Sequence, residues 1–163
     1  MSGVRHQARV LAMQALYERD LTEHDLHEIL ERMRIGDDVD LPASATETTD
    51  EDETQLEDIP QSVADRATAI VHGILEHQDG IDPLIEKAAP QFPIPQLAAI
   101  DRNVLRLAIY ELLYAPDVPY KVVINEAVEI AKRFGGPNSG RFVNGVLGTI
   151  SKDLPAKRKH SSR

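Results

Sequence analysis

The chain has 163 residues, of which 42% are hydrophobic, and a net charge of −9 at pH 7. This size suits one domain with an ordinary core, and the lack of cysteine excludes disulfides, thiolate nucleophiles and cysteine zinc sites. No apolar run approaches the roughly 18 residues that span a bilayer, and the N-terminus lacks a signal-peptide stretch. The sequence therefore predicts a cytoplasmic protein with no membrane partner.

The charge is strongly segregated along the chain. Residues Asp37 to Asp58 contain ten acids and no Lys or Arg. Because the whole chain has a net charge of −9, the remaining residues carry a net charge of +1. The last twelve residues, Lys152 to Arg163, hold five bases against one acid. We predict an all-helical domain over 1–154, interrupted by a disordered acidic loop at 36–59, with a basic flexible tail at 155–163.

The acidic loop has too few bulky apolar residues to offset the entropy of ordering it. A fold can carry such an insertion, because loop-closure entropy grows slowly with length. Two interpretations stay open. The loop is a solvating spacer, or it is an intramolecular mimic of RNA that competes for a basic surface.

Apolar residues recur at helical spacing along most of the remaining chain. Pro60 marks one helix start, while Pro83, Pro90, Pro93 and Pro95 mark interruptions. The pattern predicts an all-α fold, a compact bundle of about seven helices. The seven are Arg5 to Asp20, Thr22 to Arg34, Gln61 to His77, a short helix that follows Asp82 and Pro83 and ends near Pro90, Gln96 to Tyr114, one that ends at Phe134 and one that follows Ser139.

The hinge between the last two helices is the most informative segment. Gly135 and Gly136 favour a left-handed helix terminus, and Ser139 is a good N-cap for the next helix. Helix-start N–H groups beside Arg141 suit a phosphate or another anion, although an ordinary helix hairpin explains the same residues. The segment is no nucleotide-binding P-loop, since Arg141 replaces the lysine, Phe142 replaces the hydroxyl, and a helix precedes it.

Catalytic and metal sites have no clear candidate. His24 and His27 lie three residues apart, but nothing nearby supplies the further ligands that zinc needs. The acids beside apolar helices are ordinary borders of helical faces. We therefore predict no catalytic residue, no metal and no cofactor.

The basic residues make a better case for function. Arg5 and Arg9 are four apart, with His6 adjacent, and are expected on a flank away from the apolar stripe of the first helix. Such a patch serves solubility or contacts phosphate. RNA recognition adds aromatic or polar groups for unpaired bases, and Phe142 and Asn138 are candidates for that edge.

Three blocks of the sequence resemble the signature blocks of the bacterial NusB family of transcription antitermination factors. They are RHQARVLAMQALYERD at 5–20, IDRNVLRLAIYELLY at 100–114 and PYKVVINEAVEIAKRFGGPNSGRFVNGVLG at 119–148. The resemblance implies two small helical subdomains and no enzymatic activity. It also implies a heterodimer with the ribosomal protein NusE that binds single-stranded boxA RNA of ribosomal RNA leader transcripts. That complex joins RNA polymerase and other Nus factors.

The resemblance also implies roles for particular residues. Tyr17 and Asp101 match positions that face the ribosomal-protein partner. Two departures stand out: the first turn has Arg, His and Gln where some members have consecutive arginines, and Asn138 replaces an acid found in some members. The implied RNA contacts are Arg5, His6, Gln7 and Arg9 in the first helix, and Asn138, Ser139, Arg141 and Phe142 at the hinge.

Two rival functions stay open from the sequence. NusB-like domains also occur at the front of ribosomal RNA cytosine methyltransferases, but this chain lacks a G-x-G-x-x-G motif, a cysteine nucleophile and the length for a catalytic domain. A helical adaptor that binds only protein would keep the partner surface and ignore RNA. Whether the chain alone forms a homodimer is also open.

Overall fold

The computed structural model describes residues 2–34 and 60–155 of the chain. Within these ranges all regular structure is helical, which confirms the all-α prediction. The predicted acidic loop at 36–59, and all of the predicted tail except Pro155, lie outside the described residues. The helices are α1 (Ser2–Leu21), α2 (Leu26–Arg34), α3 (Gln61–Ala88), a 3-10 turn (Ile94–Gln96), α4 (Ala99–Tyr114), α5 (Tyr120–Phe134) and α6 (Ser139–Lys152).

The prediction of seven helices is wrong at α3, where two predicted helices form one. Pro83 lies inside this helix, although proline normally interrupts the hydrogen-bond ladder. Ile81 and Ile85 flank it and are completely buried, so continuing the helix keeps both in the core. The intervening Asp82 accepts hydrogen bonds from Arg106 of α4 at 3.0 and 3.1 Å. Tertiary packing therefore overrides the local proline signal.

The chain divides into two compact units, Met1–His72 and Gly73–Arg163. In the first unit α1 packs on α2. Both oxygens of the buried Glu18 carboxylate accept hydrogen bonds from Arg32, at 2.7 and 2.6 Å. The helix predicted from Thr22 begins at Leu26 instead, because the Thr22 hydroxyl donates to the Glu18 carbonyl at 2.7 Å and accepts from the His24 N–H at 3.1 Å. These bonds build the turn between α1 and α2.

In the second unit α4, α5 and α6 pack against one another. The central helix is α4, since every residue from Asn103 to Ile109 is buried. On α5, Val123 and Ala127 are buried, whereas Val122 is 43% exposed and lies outside the apolar face of the helix. None of the helices in the described ranges is long and apolar enough to cross a membrane.

Candidate nucleic-acid interface

The hinge between α5 and α6 is held by close backbone packing. Gly135 has φ −96° and ψ −167°, an extended conformation, and its N–H donates to the Ala131 carbonyl at 2.8 Å. The predicted left-handed terminus is wrong there, and Gly136 is not left-handed either. A Cβ on Gly135 would lie 2.5 Å from Ser139 Oγ and 2.7 Å from the Ala131 carbonyl oxygen. Glycine is required at this position by close approach, not by a positive φ.

Ser139 braces the hinge from inside. It is the first residue of α6, so the prediction that it is the N-cap is wrong by one position, and Asn138 is the N-cap instead. The Ser139 hydroxyl accepts a hydrogen bond from the Gly136 N–H at 2.9 Å, and the residue is only 5% exposed. This serine therefore fixes the loop that precedes α6.

Asp101, in the first turn of α4, interacts with the Ser139 side chain. Burial raises the pKa of its carboxyl group, and a hydrogen bond with the Ser139 side chain lowers that pKa in part. Its Oδ1 atom is buried and makes no hydrogen bond within the described residues. Asp101 and Ser139, which the resemblance assigns to two different partners, thus belong to one internal network.

Three neighbouring residues at the start of α6 face solvent. Asn138 and Arg141 are exposed and Phe142 is partly exposed. They offer an amide for base edges, a cation for phosphate and an aromatic ring. This part of the chain therefore carries each type of group that single-stranded RNA recognition uses.

Lys132 adds a cation that the sequence analysis missed. Its Cγ lies 2.7 Å from where a Cβ on Gly140 would be, so the lysine stem runs over the bare backbone of α6. The Lys132 side chain is 62% exposed, and its ammonium lies 3.9 Å from Glu129. The signal in the sequence was Gly140, because a glycine in a first helical turn leaves room for a long side chain from another helix.

The first unit carries the other predicted residues, all on α1. Arg5 and Gln7 are exposed and His6 is partly exposed. Arg9 is only 4% exposed, so the prediction of an exposed flank is wrong at this position. Every residue from Leu11 to Leu16 is buried, which shows that the next turns of α1 are enclosed on all sides rather than along one stripe.

Tyr17 follows this enclosed stretch. It is partly exposed, and burial raises the pKa of its hydroxyl. The second unit brings five predicted residues together, whereas Tyr17 and the four predicted RNA contacts of α1 belong to the first unit. The five of the second unit are Asp101, Asn138, Ser139, Arg141 and Phe142.

Comparisons with known proteins agree with this architecture. The model of the NusB family matches residues 6–152. The transcription antitermination protein NusB of Dehalococcoides mccartyi is 42% identical over 154 residues, which cover 94% of each chain. Among solved structures, T. maritima NusB has a TM-score of 0.73 and 34% identity, covering 94% of this chain and 95% of that one. A structure of the antitermination factors NusB and NusE in complex with dsRNA has a TM-score of 0.70 and 25% identity, covering 94% and 100%. The chain belongs to the NusB family.

Proposed function

We propose that this chain is a transcription antitermination factor that binds single-stranded boxA RNA of ribosomal RNA leader transcripts together with NusE. The observation that carries the proposal is the α6 start, where an exposed amide, an exposed arginine and a partly exposed aromatic ring occur within residues 138–142. The names of the relatives support the antitermination role, and the complex of NusB and NusE with dsRNA supports RNA and NusE as ligands. RNA polymerase and other Nus factors are reached through that complex.

The RNA contacts divide by exposure. We assign direct contacts to Arg5, His6 and Gln7 of α1 and, at the hinge, to Asn138, Arg141 and Phe142. Arg9 and Ser139 are both buried, so we assign them the role of holding their segments in place. Arginines fix phosphates and thereby position the strand, while polar and aromatic groups meet the bases.

The partner contacts are assigned to Tyr17 and Asp101. Both are partly exposed, so each retains surface that a protein partner can cover. Because Asp101 also bonds Ser139, binding of NusE at this carboxyl group would steady the α6 start that meets RNA. This coupling gives a physical reason why the partner would strengthen RNA binding.

The proposed activity is binding without catalysis, in the cytoplasm. The relatives reported above carry the antitermination name over nearly their whole length, which favours this role over a domain of a ribosomal RNA methyltransferase. A protein-only helical adaptor is the second candidate, favoured by the burial of Arg9, which removes one of the predicted RNA cations from the surface. RNA binding separates these two functions.

Charge reversal at the hinge tests the proposal. Three or four phosphate contacts give a slope of log affinity against log salt of about −2 to −3, since each contact on a single strand contributes roughly −0.7. Arg141→Glu should weaken binding of boxA RNA at least tenfold and make the slope shallower by roughly 0.7, because one phosphate contact is lost. Fluorescence anisotropy over a salt series measures both quantities.

The matched control is Lys152→Glu, an equal charge reversal at the other end of the same helix. Lys152 is also exposed, so this variant changes the net charge without touching the α6 start. Circular dichroism should show unchanged helicity for both variants. Equal effects of the two variants would mean that only net charge matters, and the site would be wrong.

A further inference from the structure

Phe92 is an exposed aromatic residue that the proposed function does not use. It is 50% exposed, in the loop between α3 and α4. Ala89, Ile94 and Leu97 are buried on either side of it, and the Phe92 N–H donates to the Ala89 carbonyl at 3.0 Å. The loop is thus anchored in the core before and after Phe92, while the ring itself is left half in water. A large aromatic ring left half in water forgoes part of the free energy that its burial could contribute to the fold, and it keeps apolar surface that a ligand can cover.

Prolines restrict the backbone at Phe92. Pro90 precedes it by two residues, Pro93 follows directly, and Pro95 belongs to the short 3-10 turn. Proline fixes its own φ and restricts the residue before it, so the backbone at Phe92 has few alternatives to lose when a ligand binds. The ring is therefore presented in advance, which suits a binding residue.

Phe92 lies against the proposed RNA-binding segment. Its ring contacts that of Phe142 edge to face, with the centroids 5.6 Å apart and the planes at 77°. Phe142 follows Arg141 directly, and both belong to the exposed α6 start. The two rings therefore form one aromatic surface that continues the proposed RNA site onto the loop before α4.

The charges around this aromatic surface favour RNA as its occupant. Arg141 is exposed next to Phe142, and the 62% exposed Lys132 side chain runs over the same end of α6. Unpaired bases stack on aromatic rings whatever their sequence, while cations beside the rings hold the phosphates between bases. An aromatic pair flanked by cations is the arrangement that single-stranded RNA binding uses.

We propose that Phe92, paired with Phe142, is a stacking platform for one unpaired base of the bound RNA. This proposal rests on the proposed function, since it extends the RNA site by one residue. It places a base contact on the loop between α3 and α4, outside the two segments from which RNA contacts were predicted. Phe92 is assigned a stacking role and no charge role.

The test uses the full chain with single-stranded boxA RNA that carries 2-aminopurine, whose fluorescence falls when the base stacks. Phe92→Ala should weaken binding about tenfold, which corresponds to the loss of one base–aromatic stack. It should leave the salt slope unchanged, because no charge is removed. The quenching at one labelled position should be lost. Phe92→Leu keeps an apolar side chain but has no ring, so it should lose the same quenching, whereas Phe92→Tyr should retain it.

The matched control is Tyr114→Ala, which removes a similarly exposed aromatic ring, 45% exposed, at the end of α4. It should leave RNA affinity unchanged. If Phe92→Ala and Phe92→Leu bind RNA like the parent protein while Arg141→Glu is weakened, the stacking proposal is overturned and the proposed function stands. If the parent protein binds no RNA with NusE present, both are overturned. Loss of NusE binding by Phe92→Ala with RNA binding intact would make the loop a protein-docking site and also overturn stacking.

Discussion

Ser139→Ala should destabilise the protein more than its small volume change suggests. The hydroxyl accepts the Gly136 N–H at 2.9 Å, in a residue that is 5% exposed. Hydrogen bonding from the same side chain also lowers the pKa of the Asp101 carboxyl group. Gly136 is exposed, so water replaces much of its lost bond, whereas water replaces the bond of the partly buried Asp101 carboxyl group less completely. A neutral bond contributes about 0.5–1.5 kcal/mol and one to a charged group about 1.5–3 kcal/mol. After allowance for water at both groups, we expect a loss of about 2 kcal/mol in the free energy of unfolding.

Urea denaturation followed by circular dichroism measures this loss. The matched control is Ser151→Ala, in the last turns of the same helix, where the hydroxyl donates only to the Gly148 carbonyl at 3.0 Å. That bond adds little to a helix, so we expect a change within about 0.5 kcal/mol. If Ser139→Ala costs no more than Ser151→Ala, the network of Asp101, Ser139 and Gly136 does not hold the hinge, and the reasoning is refuted.

Three further variants test the packing and the electrostatics of the second unit. Gly73→Ala should cost about 1–3 kcal/mol in the free energy of unfolding, because a Cβ there would overlap the Tyr110 ring. Gly80→Ala, in the same helix with no atom within 4 Å, should stabilise by about 0.5–1 kcal/mol, and thermal unfolding that gave both the same sign would contradict this packing. Burial raises the pKa of Asp101 above its ordinary value of 3.8, so its contribution to stability is greatest below pH 3.8 and is lost as pH rises through the folded-state pKa. Asp101→Asn does not titrate and should therefore become more stable relative to the parent as pH rises, and a difference constant with pH in urea midpoints would refute this.

The periodicity of apolar residues predicted most of the helices, since it reports directly on which side of a helix is buried. It failed at Pro83, where the local signal for a break is real but weaker than the combined packing of Ile81 and Ile85 and the bonds between Asp82 and Arg106. Those forces join residues far apart in the chain, so no local pattern contains them.

The sequence identified the segments that form the candidate site, but it did not show which residues of those segments are buried and which are exposed. Arg9 has the spacing of a surface arginine, yet it is buried, as is every residue from Leu11 to Leu16 in the following turns of α1. Ser139 is a good N-cap by residue type, but its hydroxyl accepts a hydrogen bond from the preceding Gly136 N–H and not from an N–H group of its own helix. No apolar periodicity predicted a role for Phe92, because the residue lies in a loop and its position depends on buried residues on both sides of it.

The measurement that tests the central claim most directly is binding of labelled boxA RNA to this chain, with and without NusE, at low and near-physiological salt. A scrambled RNA of equal length and composition is the control for non-specific charge effects. We predict weak binding by the chain alone, sharply stronger binding of boxA RNA when NusE is present, and no such gain for the scrambled RNA. Absence of RNA binding in the presence of NusE that demonstrably associates with the chain would contradict the account and leave a protein-only adaptor.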